Sequence, residues 1–140
     1  MNIRTMTISD YDQVYSLWIN TPGMGLNNLD DSLDGIKKYL ERNPNTCFVA
    51  EQNSNIVGVI MSGHDGRRGF IYHAAVAQNY QRKGIGKELV NAVLRALEKE
   101  KISKVALVVF EKNEKGNEFW EKMGFSGRND LVYRNRSLLW

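Results

Sequence analysis

The residues best suited to chemistry lie together in Gln81-Arg82-Lys83-Gly84-Ile85-Gly86-Lys87, between an apolar run (Phe70 to Val76) and a helical-looking segment (Glu88 to Lys99). Read as strand, tight turn and helix start, this stretch aims several backbone N–H groups at one point, and Arg82, Lys83 and Lys87 add positive charge. Gly84 and Gly86 admit a bulky anion to the main chain without a Cβ in the way, at the partly positive end of a helix. The chemistry implied is phosphate binding. An ordinary strand-to-helix turn with basic residues on a solvated face has the same spacing. Two familiar glycine motifs are excluded: a dinucleotide fingerprint needs a small residue where Leu89 stands, and a P-loop needs glycine at 81 and Ser or Thr at 88, where Gln81 and Glu88 stand.

Proton-transfer candidates are few. The chain has two histidines, His64 and His73, and Tyr72 adjoins the second. Strict alternation along a strand would turn Tyr72 and His73 to opposite faces. Cys47, the single cysteine, sits in Cys47-Phe48-Val49-Ala50 and reads as a small core residue rather than a nucleophile; no disulfide and no Cys/His metal cluster is expected.

The elements that must position these groups follow from periodicity. Ile3 to Ile8 reads as a short strand. Ser9 caps a helix over about 10–20 whose buried face is Tyr11, Val14, Tyr15 and Trp18. Thr21-Pro22-Gly23-Met24-Gly25 breaks it, and Asp31-Ser32-Leu33-Asp34 starts a second helix with a stripe of Leu29, Leu33, Ile36 and Leu40, ending before Pro44. Asp30, Asp31 and Asp34 read as dipole-compensating residues. Thr46 to Glu51, Asn55 to Ser62 and Phe70 to Val76 form an antiparallel meander. Leu89, Val90, Val93, Leu94 and Leu97 mark a long amphipathic helix. Lys104 to Phe110 reads as a strand covered on both faces and parallel to its predecessor, closing a right-handed crossover. Asn113 caps a last helix with Phe119, Trp120 and Met123, and Gly124 ends it. Phe125 and Leu131 to Leu139 supply one or two final strands. At 140 residues, with no linker or repeat, a single domain over 1–140 is expected.

Gln-Arg-x-Gly-x-Gly after a strand ending Ala-Ala-Val resembles the acetyl-coenzyme A pyrophosphate loop of the GNAT superfamily of N-acetyltransferases. Asn113-x-x-Gly116-x-x-Phe119-Trp120-x-x-x-Gly124-Phe125 is similar to a second signature of that family, and the element order agrees over essentially the whole chain. The resemblance implies a mixed α/β fold: a mostly antiparallel central sheet with a parallel pair at the cofactor site, flanked by about four helices. It also implies an enzyme that transfers the acetyl group of acetyl-coenzyme A to a primary amine by direct attack in a ternary complex, with no metal. By resemblance, the main chain of Ala74, Ala75 and Val76 pairs with the pantetheine arm, and the pyrophosphate rests on residues Gln81, Arg82, Lys83, Gly84, Ile85, Gly86 and Lys87. Asn113, with Gly116, Phe119 and Trp120 on its helix, then meets the coenzyme from the other side.

Two departures stand out. The strand positions at which several family members carry a glutamate offer Phe70 and Val108 instead, so Tyr72, His73 and His64 are the candidate bases, with solvent as the alternative. Trp120 occupies the position of the family's acid tyrosine, and an indole N–H is no proton source near neutral pH. Tyr133 or Tyr72 could substitute, or the thiolate could leave unassisted.

A non-catalytic acyl-coenzyme A sensor is the alternative function. Nucleic-acid binding through Arg82, Lys83, Lys87, Arg134 and Arg136 is disfavoured by a net charge of only +3. The N-terminus lacks a signal-peptide core and no run spans a bilayer, so a cytoplasmic protein is expected. A homodimer through the C-terminal segment would cover Leu138, Leu139 and Trp140.

Overall fold

The computed structural model describes residues 1–139. They pack as two compact units, the first Met1–Val108 and the second starting at Val109. In the first, five strands form one sheet in the order β1-β2-β3-β4-β5: β1 (Asn2–Thr5), β2 (Phe48–Gln52), β3 (Asn55–His64), β4 (Gly69–Val76) and β5 (Val105–Ala106). All neighbours are antiparallel except β4 and β5, which run parallel. Three helices belong to this unit: α1 (Tyr11–Ile19), α2 (Leu33–Arg42) and α3 (Ile85–Lys99).

One core joins α1 and α2 to one face of the sheet, with Val14, Trp18, Ile36, Leu40, Val49, Val59, Met61 and Ala75 buried together. On the opposite face Gly58 lies under Leu89 and Ile85, and Gly69 under Leu97; a Cβ on Gly69 would come within 3.1 Å of a Leu97 methyl. α3 therefore covers the second face, its buried residues being Ile85, Leu89, Val90, Ala92, Val93 and Leu97.

The first strand is shorter than its alternation suggests. The Thr7 amide donates to Asp10 Oδ2 at 2.9 Å and the Asp10 amide to the Thr7 carbonyl at 3.0 Å, so the strand ends at Thr5 instead of Ile8; Thr7, not Ser9, begins the turn into α1. Arg4 clamps the buried Asp10 with two bonds of 2.8 and 2.9 Å. On α1 the buried face is Val14, Leu17 and Trp18, while Tyr15 is exposed. On α2, capped by the Ser32 hydroxyl accepting from the Gly35 amide at 3.0 Å, Ile36 and Leu40 are buried, but Leu29 and Leu33 are exposed.

The largest correction concerns Lys104 to Phe110. Only Val105 and Ala106 pair with β4, Ala106 is exposed, and Val108 and Phe110 stand in solvent at 58% and 70% exposure, so this apolar run is not a strand covered on both faces. In the second unit α4 (Glu114–Lys122) forms as expected, with Gly124 left-handed at φ +93°. The strands expected from Phe125 and Leu131 to Leu139 do not form among the described residues, and Leu131, Val132, Tyr133, Leu138 and Leu139 are exposed. Trp140 lies outside the described residues. No helix among them is long and apolar enough to cross a membrane.

Candidate functional site

The site starts from an irregularity in β4. Ile60 faces Ala74 and Ser62 faces Ile71, so the single residue Met61 stands opposite two, Tyr72 and His73. This is a β-bulge, and it inverts the alternation of the strand. Gly69 lies on the α3 face, and Phe70 and Tyr72 contact each other, with Tyr39 of α2 on Tyr72. A regular strand would return His73 to the α3 face. Instead its ring meets Trp18 of α1 edge-on at 4.9 Å, so Tyr72 and His73 share the α1–α2 face, contrary to simple alternation.

The bulge also changes which backbone groups face outwards. The Gly69 amide donates to Lys104 on the β5 side at 2.9 Å, whereas the Ala77 amide donates to Val57 on the β3 side at 2.8 Å. Stepping back by twos from Ala77, Ala75 also faces β3, which leaves the amides of Ala74 and Val76 aimed at the β5 side. There β5 pairs only with Gly69 and Phe70. The C-terminal half of β4 thus presents an unpaired edge within its unit, ready for an extended ligand with its own amides.

Past this edge, Gln78–Tyr80 makes a 3-10 turn and Gln81 turns back, its Nε2 donating to the Val76 carbonyl at 3.0 Å. Arg82 and Gly84 both adopt left-handed backbone, at φ +63° and +83°. Gly84 is the N-cap of α3, and a Cβ there would meet nothing within 4 Å. The first bond of α3 is from the Glu88 amide to the Gly84 carbonyl at 3.0 Å. Among the described residues no acceptor meets the amides of Arg82, Lys83, Gly84, Ile85, Gly86 or Lys87. Unpaired donors at a helix start, with Arg82, Lys83 and Lys87 in the same stretch, are chemically suited to an anion. Lys83 Nζ lies 5.3 Å from the centre of the Tyr80 ring.

The proton-transfer candidates divide. His64 ends β3 with both ring nitrogens engaged: Nε2 is 3.1 Å from Glu100 Oε1, and Nδ1 accepts from the Gly66 amide at 2.9 Å. Tyr72 is 58% exposed against Phe70 and Tyr39. His73 is half-buried, and its Nε2 lies 2.8 Å from Oδ1 of the buried Asp31. The other carboxylate oxygen accepts from the Asn27 amide at 2.7 Å. Burial works against the Asp31 carboxylate, but the bonds from His73 and the Asn27 amide outweigh it and hold the group below the usual carboxylate range. Asp31 is therefore more than a dipole-compensating residue, and nothing local in the sequence pointed to its partner. Cys47 is fully buried with its Sγ donating to the Ser62 carbonyl, and burial pushes its thiol up to about 12, leaving no thiolate for attack.

Two clefts open on the α1–α2 side along β4. One of about 780 Å³ touches Asp12, Ser16, Asn20 and Thr21 and reaches Val76 and Gln81. The other, of about 530 Å³, lies at the start of β4 among Tyr39, Asn43, Phe70, Tyr72 and Lys104.

In the second unit Asn113 is the N-cap of α4, its Oδ1 accepting from the Gly116 amide at 2.9 Å. A Cβ on Gly116 would run into that same side chain. Trp120 packs edge-on to Phe119 and Phe125, with ring centres 5.0 and 5.2 Å away, as the centre of an aromatic cluster.

A family model described as the acetyltransferase (GNAT) family matches residues 11–125. Among curated proteins, an acetyltransferase of Photorhabdus laumondii is 32% identical over 149 aligned positions, covering 99% of this chain and 97% of its own. Among solved structures, Ard1 from Thermoplasma volcanium superposes with a TM-score of 0.80 at 22% identity, over 89% of this chain and 82% of its own. The PaiA N-acetyltransferase of Thermoplasma acidophilum, in complex with coenzyme A, gives 0.76 at 18% identity over 87% of each chain. At those identities the two structures speak for the fold.

Proposed function

The chain belongs to the GNAT acetyltransferase family, and from that premise we propose that it transfers the acetyl group of acetyl-coenzyme A to a primary amine by direct attack within a ternary complex. The observation that carries this reading is the run of six acceptor-free amides from Arg82 to Lys87 beside the unpaired edge at Ala74 and Val76. The diphosphate is assigned to the first and the pantetheine amides to the second, which leaves the thioester near the bulge. Asn113 and Trp120 are assigned to the coenzyme as well, and residues 1–140 to one catalytic domain. The family match, which runs through the boundary at Val109, supports that assignment.

An acceptor amine with a pKa near 10 arrives as an ammonium and must lose a proton before attack. We assign that proton to His73, which stands at the bulge of β4 although it lines neither cleft. The neutral amine then attacks the thioester carbonyl carbon, the C–N bond forms and the C–S bond breaks. The second nitrogen proton is lost as the thiolate leaves, so that amide, thiol and one released proton result. The buried thiol of Cys47 supports attack without an enzyme nucleophile.

A thiol-release screen over polyamines, aminoglycosides, amino acids and peptide N-termini tests the reading. Turnover with at least one class is expected. Coenzyme A binding without thiol release from any amine would favour a sensor instead, a reading motivated by Trp120 at the tyrosine position.

A further inference from the structure

Asp31 and His73 are 42 residues apart in sequence, yet they are hydrogen-bonded at 2.8 Å with only 8% and 17% of their side chains accessible. Both partners are held from several directions. The bulge turns the His73 ring onto the α1–α2 face, where Trp18 packs against it. Asp31 sits in the segment joining α1 to α2, fixed by the Asn27 amide on its carboxylate and by the Tyr11 hydroxyl, which donates to its carbonyl at 2.7 Å. A histidine that needed only to fill space beside Trp18 would not require a buried carboxylate opposite it, since an ionised group costs solvation wherever it is buried. Among the described residues His73 Nδ1 meets no hydrogen-bond partner.

We infer that Asp31 is a positioning residue for His73: it accepts the Nε2 proton, so that Nδ1 is the nitrogen left without one and free to take the proton of the acceptor ammonium. The carboxylate stays ionised throughout. It sets the tautomer, holds the ring angle against Trp18, and stabilises the imidazolium formed when Nδ1 is protonated. The same contact ties the α1–α2 segment to β4, so acceptor-side order and base geometry come from one bond. The groups in contact with the ring are the Asp31 carboxylate and the Trp18 ring, while the Tyr11 hydroxyl donates to the Asp31 main chain and lies near enough to feel the Asp31 charge.

This rests on His73 being the base, and the test separates the two claims. The pH dependence of kcat/KM for the acceptor is measured for the wild type and for His73→Gln, Asp31→Asn and Tyr11→Phe, with KM for acetyl-coenzyme A and thermal midpoints recorded alongside. His73→Gln should lower kcat by about a hundredfold or more and abolish the acidic limb of the profile. Asp31→Asn should reduce kcat at least tenfold with KM for acetyl-coenzyme A within about twofold, since the ring loses the acceptor that sets its tautomer. Tyr11→Phe loosens the same segment without touching the pair and should leave the limb in place. An intact limb in His73→Gln overturns the base itself. Loss of the limb there, with Asp31→Asn behaving like Tyr11→Phe, overturns the role of Asp31 alone.

Discussion

Replacing Gly84 with alanine separates the two things that glycine does at the start of α3. At φ +83° an L-residue is left-handed, which costs roughly 1–2 kcal/mol, and because a Cβ there meets nothing within 4 Å no steric penalty adds to it. For a chain of this length the thermal midpoint should fall by about 3–8 °C. Gly66, in the β3–β4 turn, has φ +89° and equally open surroundings, so Gly66→Ala pays the same strain without touching the anion site. The two variants should melt within a few degrees of each other. Their affinities for acetyl-coenzyme A should not agree. A methyl group at 84 stands where the diphosphate must approach the main chain, and losing one or two charge-assisted bonds of roughly 1.5–3 kcal/mol each weakens binding by about ten- to a hundredfold or more. Isothermal titration calorimetry with acetyl-coenzyme A reads this directly, with scanning calorimetry for the midpoint. Equal affinities for Gly84→Ala and Gly66→Ala would refute the placement of the diphosphate at these amides.

Cys47 should resist alkylation by iodoacetamide in the folded protein at pH 8, because its thiol is pushed up to about 12, and react on unfolding; rapid native-state modification, read by mass spectrometry, would contradict the burial. Asp10 is held below the ordinary carboxylate range first by the hydrogen bonds from Arg4 and further by the Thr7 amide, against the cost of burial. A depressed folded value stabilises the fold above the unfolded carboxylate value, near 4, and that stability is lost as pH falls through the lower folded one. Asp10→Asn should therefore cost roughly 2 kcal/mol at pH 7 and less near pH 3, measured by urea unfolding at both pH values. A constant difference across that range would refute the assignment. Adding a Cβ at Gly63 would press on the Tyr39 hydroxyl, 2.5 Å away, and on the Asn43 side chain at 2.7 Å, so Gly63→Ala should destabilise by about 1–3 kcal/mol in the same assay.

What could be read from the sequence was what depends on neighbours along the chain. The spacing of Gly84 and Gly86 after an apolar run was enough for the turn and the start of α3, since a left-handed residue and a helix start are local events. Asn113, Gly124 and Ser32 did their capping work as their types suggest. What failed depended on contacts across the fold. Val108 and Phe110 look like interior residues by type, yet β4 offers β5 only two pairing positions. Leu29 and Leu33 fall on a helical stripe, but the helix starts at Leu33 and both are exposed. Tyr72 and His73 were read by strict alternation, and nothing in their types announces that Met61 would face them both. Asp31 had an adequate local explanation, which hid a partner that only the sheet brings near.

The extra residue in β4 makes this strand count differently from the loops around it. Ahead of it, Gly69 is matched to Leu97; behind it, Ala75 is matched to the core under α1. Shortening the chain by one at 72 or 73 cannot be absorbed by sliding, because one end or the other would then turn inside out. The hexapeptide turn from His64 to Gly69 carries no such parity and should accept an added residue. An engineer altering the length of this enzyme has freedom on one side of Phe70 and none on the other.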